Sequence, residues 1–167
     1  MKSCPYAKKC SGCQLQNLTY KEQLSIKQVK LIKLLGKYGH VEEIIGMESP
    51  CFYRNKIQSA FGVKNGKIIS GIYQSTTHRI TPVNGCMLED KCAEPIVKTV
   101  RELCPSFKIK AYDLNTGSGF LRHILIRKGF STGEIMVTLV TARGDFKSKR
   151  SFVNALLRRH PEITTVV

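Results

Sequence analysis

Apolar residues recur at helical spacing early in the chain: Tyr20, Leu24, Leu31 and Leu35 fall on one stripe, with Ile32 and Leu34 beside it. Just ahead, Thr19-Tyr20-Lys21-Glu22 forms a capping box, in which the Thr19 hydroxyl and the Glu22 carboxylate each satisfy an orphan amide at a helix start. Gly36 and Gly39 close the pattern, so the spacing predicts an amphipathic helix over residues 19–38. From residue 52 the period changes to that of strands. Residues 52–63 read as a strand, Asn65-Gly66 as a hairpin turn, 67–74 as the return strand, and 78–83 as a further short strand. Ile96, Val97, Val100 and Leu103 then mark the buried side of a helix over 92–103, capped by Glu89 or Asp90 and blocked by Pro105. Strand patterning returns at 120–127, turns through Gly129 to Gly133, and comes back over 134–141. Within 120–127, Arg122 and Ile124 share one face while His123 and Arg127 share the other. A helix over 148–160 ends at Pro161, and 162–167 looks like the start of another strand. The order of strands, helix, hairpin and helix predicts an α+β domain, a largely antiparallel sheet with flanking helices.

Composition narrows the function classes. The 167 residues, 42% of them hydrophobic, suit one compact domain or a domain plus part of another, and they exclude a disordered chain. Lys and Arg number 27 against 12 Asp and Glu, a formal charge of +15 that attracts polyanions and makes nucleic acid the leading partner. A basic surface without such a partner has the same composition. No apolar run is long enough to span a bilayer. The amino terminus leads directly into cysteines without a secretory apolar stretch, so the seven cysteines read as reduced thiols of a cytoplasmic protein rather than a disulfide scaffold.

The cysteines carry the most specific chemistry. Cys4, Cys10 and Cys13 are separated by five and then two residues, and the two-residue gap lets Cys10 and Cys13 reach one metal from a tight turn, with Gly12 supplying backbone freedom. Three thiolates leave a tetrahedral zinc or a cubane cluster one ligand short. Cys86 is the expected fourth, in the loop Pro82-Val83-Asn84-Gly85-Cys86-Met87 that follows a strand. Against this metal knuckle stands the ordinary fate of a free cysteine as a small buried hydrophobe. Cys92 and Cys104 lie at opposite ends of one helix, too far apart in rise to share a metal, and read as structural. Cys51 has Arg54 nearby but no partner base, and reads the same way. His40, His78, His123 and His160 are scattered, with no spacing that suggests a catalytic dyad.

The Cys-x5-Cys-x2-Cys run is followed by Gln14-Leu15-Gln16, then Phe52-Tyr53-Arg54-Asn55-Lys56, then Cys86 and Gly119-Phe120-Leu121-Arg122-His123. Together these stretches resemble the iron–sulfur RNA (uracil-5-)-methyltransferases, which make 5-methyluridine in ribosomal or transfer RNA. The resemblance implies that Cys4, Cys10, Cys13 and Cys86 hold a 4Fe-4S cluster, favouring iron over zinc. It implies S-adenosylmethionine as methyl donor, bound in a doubly wound domain that also carries the nucleophilic cysteine and the base. The strand, Gly-rich turn and helix of such a domain are not found in this sequence, so no catalytic residue is assigned to it.

The resemblance divides the chain into an iron–sulfur knuckle (1–16) belonging to a central domain, and a helix (17–48) that would pack on the methyltransferase domain. A central α+β RNA-binding domain (49–161) follows, then the first residues (162–167) of the missing Rossmann-like domain. Arg54 and Lys56 match a motif the family uses at the RNA surface; Arg122, His123 and Arg127 are the next candidates for phosphate clamping and loop shaping. The expected activity is methylation of uracil C5, in 23S ribosomal RNA rather than transfer RNA. The chain alone is expected to bind RNA without methylating it, to bind no membrane, and to self-associate through residues 19–38. Two other readings stay open: a self-standing zinc-binding RNA module without catalysis, and a structural metal domain that binds another protein.

Overall fold

The computed structural model describes residues 4–75, 77 and 79–167. The chain forms two compact units that meet in sequence at Cys51 and Phe52.

The first unit is organised by α1 (Tyr20–Leu35). Its capping box forms as expected: the Thr19 hydroxyl accepts the Glu22 amide at 3.3 Å, and the Glu22 carboxylate accepts the Thr19 amide at 2.7 Å. The helix stops at Leu35, earlier than the expected Tyr38, because Gly36 already caps it by donating to the Ile32 carbonyl at 2.8 Å. The chain then runs back along the helix. Gln28 donates to the Glu42 carbonyl at 3.0 Å and accepts the Ile44 amide at 2.8 Å, while the Tyr20 hydroxyl accepts the Met47 amide at 2.8 Å. Tyr20, Leu24 and Gln28 stand one turn apart on a single face, which is why one row of side chains can hold an irregular return segment. At Gly46 the segment passes so close that a Cβ would lie 2.9 Å from Leu24. Other apolar residues of α1 stay in solvent, Ile26 at 46%, Val29 at 64% and Ile32 at 49% exposure.

The second unit is one six-stranded sheet with two helices. Its elements are β1 (Lys56–Lys64), β2 (Lys67–Tyr73), β3 (Ile80–Pro82), α2 (Ala93–Ser106), β4 (Leu121–Lys128), β5 (Ile135–Thr141), α3 (Lys149–Arg159) and β6 (Ile163–Val166). The spatial order is β3-β2-β1-β4-β5-β6, antiparallel throughout except for the parallel β5–β6 pair. The hairpin from β1 to β2 turns on Asn65 and Gly66, whose φ values of 51° and 72° are the two positive angles a type I′ turn requires. Both described helices pack on one face of the sheet. Ile57, Phe61, Ile124, Ile126 and Val137 meet Ile96, Val100, Phe152 and Leu156 in one closed core.

Several expectations are corrected by the backbone. β1 begins at Lys56 and not at residue 52, because Phe52 has a φ of 56° and residues 52–54 pair instead with the chain after Cys86. β3 covers Ile80–Pro82; the expected start at His78 lies outside the described residues. Pro105 does not block α2. It sits in the last turn, where it forgoes a single backbone bond, and the helix ends at Ser106; beyond the cap Phe107, Lys108 turns at φ 54°, with the Ile109 amide reaching the Cys104 carbonyl at 2.8 Å and the Lys108 amide reaching that of Pro105 at 3.0 Å. The strand expected over 162–167 forms as β6, which pairs with β5 of this sheet. Finally, a bulge between Leu121 and His123 breaks the alternation of β4. Leu121 and Ile124 both enter the core, and Arg122 parts from the Ile124 face to lie over the Tyr112 ring at 4.5 Å.

Candidate functional site

The cysteine run of the first unit is a chain of turns. The Ala7 amide donates to the Cys4 carbonyl at 3.1 Å and the Cys10 amide to that of Tyr6 at 2.7 Å, while the Gln16 side chain braces the Ala7 carbonyl at 3.3 Å. Cys4, Cys10 and Cys13 are half-buried thiols. Gly12 has no positive φ; what it supplies is space, since a Cβ there would stand 3.4 Å from the Cys10 sulfur. Among the described residues, no three His, Cys, Asp or Glu side chains are disposed around a common metal position. Thiols are soft donors, the ligand type of iron–sulfur and zinc sites.

Cys86, the expected fourth ligand, lies in the second unit just after Gly85, whose φ of 69° lets the chain reverse before it. The following residues align with residues 52–54, ahead of β1. The Phe52 amide donates to the Met87 carbonyl and that of Arg54 to the Leu88 carbonyl, both at 2.8 Å, and the Asp90 amide returns a bond to the Arg54 carbonyl at 3.0 Å. Burial pushes the Cys86 thiol up, with the Glu89 carboxylate adding to it. The amide groups of Leu88 and Glu89 and the Arg54 guanidinium pull the other way, toward thiolate. Glu89 is itself held above the usual carboxylate range by burial, against the pull of Arg54 and with a further push from Glu94. One expected metal ligand and one expected RNA contact thus share a single hydrogen-bonded ladder.

Asp90 and Cys92 are structural. Asp90 accepts the Cys92 amide at 3.0 Å and both oxygens accept the Lys128 ammonium, at 3.1 and 3.0 Å. Burial and the neighbouring Asp90 carboxylate push the Cys92 thiol up to about 12, and burial does the same to Cys104. Neither cysteine has the depressed pKa of a nucleophile.

The fold also assembles a contact no spacing revealed. His160 stands between the Thr99 hydroxyl, 2.7 Å from Nε2, and the Glu162 carboxylate, 3.0 Å from Nδ1. The order of groups is that of a hydrolytic triad, but Thr99 is 8% and His160 7% exposed, so no substrate reaches the hydroxyl. It ties α2 to the end of α3.

The expected RNA contacts divide between places. Arg54 is half-buried beside Glu89, and Arg122 stacks on Tyr112. Lys56 and Arg127 stand directly opposite each other in the β1–β4 register and are exposed. His123 is paired with Ala60 on the same face. A crevice with about 30 Å³ of free volume, bordered by Ser59, Ser70, Glu94 and Arg101, has room for roughly one water.

With this geometry in hand, the comparisons with known proteins converge. The chain is 38% identical over 168 residues to an uncharacterized RNA methyltransferase of Clostridium tetani, covering 98% of this chain and 36% of that protein. It is 39% identical over 160 residues to an uncharacterized RNA methyltransferase of Clostridium acetobutylicum, covering 92% of this chain and 35% of that one. Homologues of this chain are named RNA methyltransferases. Its structure resembles the crystal structure of Pyrococcus abyssi tRNA (uracil-54, C5)-methyltransferase in complex with S-adenosyl-L-homocysteine, with a TM-score of 0.69 and 28% identity over 90% of this chain and 36% of that one. The chain therefore spans about a third of the length of the proteins it matches. No protein-family model matches it.

Proposed function

We propose that this chain is the RNA-holding, cysteine-rich portion of an S-adenosylmethionine-dependent RNA uracil-C5-methyltransferase. The observation that carries the reading is the likeness to the Pyrococcus abyssi enzyme across 90% of the chain. The charge of +15 supports RNA as the partner, and Arg54, Lys56, Arg122, His123 and Arg127 are the residues we assign to it.

The residues described do not fit the methyl donor. A site for it needs parallel strands and a Gly-rich turn at a helix start, whereas β5–β6 is the one parallel pair among the described strands. The crevice beside α2 is far too small. For the cluster, the donor set does fit: we assign Cys4, Cys10, Cys13 and Cys86 as ligands of a 4Fe-4S group, and the amides aimed at the Cys86 sulfur are the kind of contact that tunes such thiolates. The apolar residues left in solvent on α1 are where we expect the chain to self-associate.

The test is filter retention of the chain with ribosomal and transfer RNA in separate arms, alongside labelled S-adenosylmethionine. Four cationic phosphate contacts, from Arg54, Lys56, Arg122 and Arg127, to unpaired RNA predict a loss of about fiftyfold in affinity between about 50 and 200 mM salt. Retention should favour ribosomal RNA, with no label in uridine. Absence of salt-sensitive retention overturns the RNA reading, and incorporated label overturns the placement of the methyl-donor site outside this chain.

A further inference from the structure

The face of the sheet away from α2 and α3 has a distinctive floor. Ala60 of β1 is paired with Gly71 of β2 on one side and with His123 of β4 on the other, so these three positions share that face. Tyr73, two residues beyond Gly71, shares it too. Rings on strands separated by a third strand start about 9.5 Å apart. Tyr73 is set diagonally from His123, and the two rings lean together, meeting edge to face with centroids 5.9 Å apart and planes at 72°. Both residues remain half-buried, with ring surface left to solvent.

Further along the same strands on the same face, Lys56 lies opposite Arg127, both exposed. Four residues separate His123 from Arg127, a distance of about 13 Å along the strand. Gln58 and Leu125 make the floor between them, paired in register. Among the described residues, no Asp or Glu occupies this face of β1, β2, β4 or β5. Burial, helped by the Arg122 charge, keeps the His123 imidazole below its usual pKa, so at neutral pH it is an uncharged ring suited to stacking.

We propose that this face is a platform for one RNA strand: an unstacked base docks on the Tyr73–His123 pair, and neighbouring phosphates are held by Lys56 and Arg127. The inference rests on the RNA reading above and adds to it Tyr73 and a direction for the strand, along β4 from His123 toward Arg127. Stacking rings next to cations select unpaired RNA, because a duplex keeps its base faces covered.

The chain contains no tryptophan, so Tyr73→Trp places a single reporter on the platform. Single-stranded decauridylate should quench its fluorescence saturably, and a blunt RNA duplex should not. In binding assays with the same decauridylate, His123→Ala and Tyr73→Leu should each weaken affinity by about ten- to a hundredfold. Lys56→Gln and Arg127→Gln should each reduce the slope of log affinity against log salt by about 0.7. If decauridylate binds with normal salt dependence but neither platform change weakens it, or if duplex quenches Tyr73→Trp equally, the platform is wrong and the RNA reading stands. If no RNA of any form binds the unaltered chain, the RNA reading falls and takes the platform with it. Should His123→Ala fail to fold, the quenching contrast between single strand and duplex decides alone.

Discussion

At the scale of single residues, Asp90 shows how a local signal carries part of a role. Its position before an apolar helical pattern marked it, with Glu89, as a cap; the cap position is instead Cys92, without a side-chain cap bond, and the Asp90 carboxylate takes the Cys92 amide just ahead of α2. The partner that fixes its energetics, Lys128, is 38 residues away and belongs to no pattern near it. Burial alone would raise the Asp90 pKa, but the Cys92 amide and the Lys128 ammonium outweigh it, so the folded value lies below the ordinary 3.8. A depressed folded pKa adds stability above the unfolded value, and that stability is lost as pH falls from about 4 through the folded value. Asp90→Ala removes the pair and strands an ammonium only 30% exposed, with an expected cost of about 2 kcal/mol at neutral pH. Urea unfolding at pH 7 and near pH 2.5 checks this: the gap between variant and parent should narrow in acid. A gap of constant size would mean that the lost stability is packing and not charge.

At the scale of elements, what was legible followed from chemistry within a few residues. The capping box at Thr19, the Asn65-Gly66 turn and the apolar side of α2 all formed, because each is fixed by neighbours in the chain. The errors came where tertiary pairing overrode local pattern. Residues 52–54 alternate like a strand, yet they zip onto the Cys86 loop, and the bulge at Leu121 to His123 re-aims Arg122 although simple alternation placed it with Ile124. The Thr99–His160–Glu162 chain belongs to the same class, since 61 residues separate the hydroxyl from the imidazole. It joins α2 to the end of α3, and Thr99→Val keeps the shape while leaving Nε2 of His160 buried without its partner. The expected cost is about 1–2 kcal/mol. Thermal unfolding read by circular dichroism measures it, and an unchanged midpoint would show that the contact is incidental to holding the helices together.

At the scale of the whole molecule, the sequence spoke most clearly about chemistry and least about assembly: the cysteine spacing and the basic charge were visible, while the ladder joining Cys86 to Arg54 was not. That ladder gives the proposed cluster a physical consequence for RNA. Whatever fixes the Cys86 sulfur also fixes residues 87–90, and these hold the backbone of Phe52 and Arg54 through three hydrogen bonds. Metal bound to the folded state stabilises it by mass action, so Cys86→Ser in anaerobically reconstituted protein should lose iron and sulfide. A loss of about 2–3 kcal/mol would lower the melting temperature by roughly 4–10 °C in a chain of this size. RNA retention should weaken as well, through the loosened Arg54. Cys92→Ser is the matched control, since that thiol faces Asp90 and carries a pKa of about 12, far from that of a ligand thiolate. It should keep its iron and its affinity for RNA. Equal iron loss from both changes would sink the ligand assignment, and stoichiometric zinc without acid-labile sulfide in the parent would replace the cluster with a zinc site on the same cysteines.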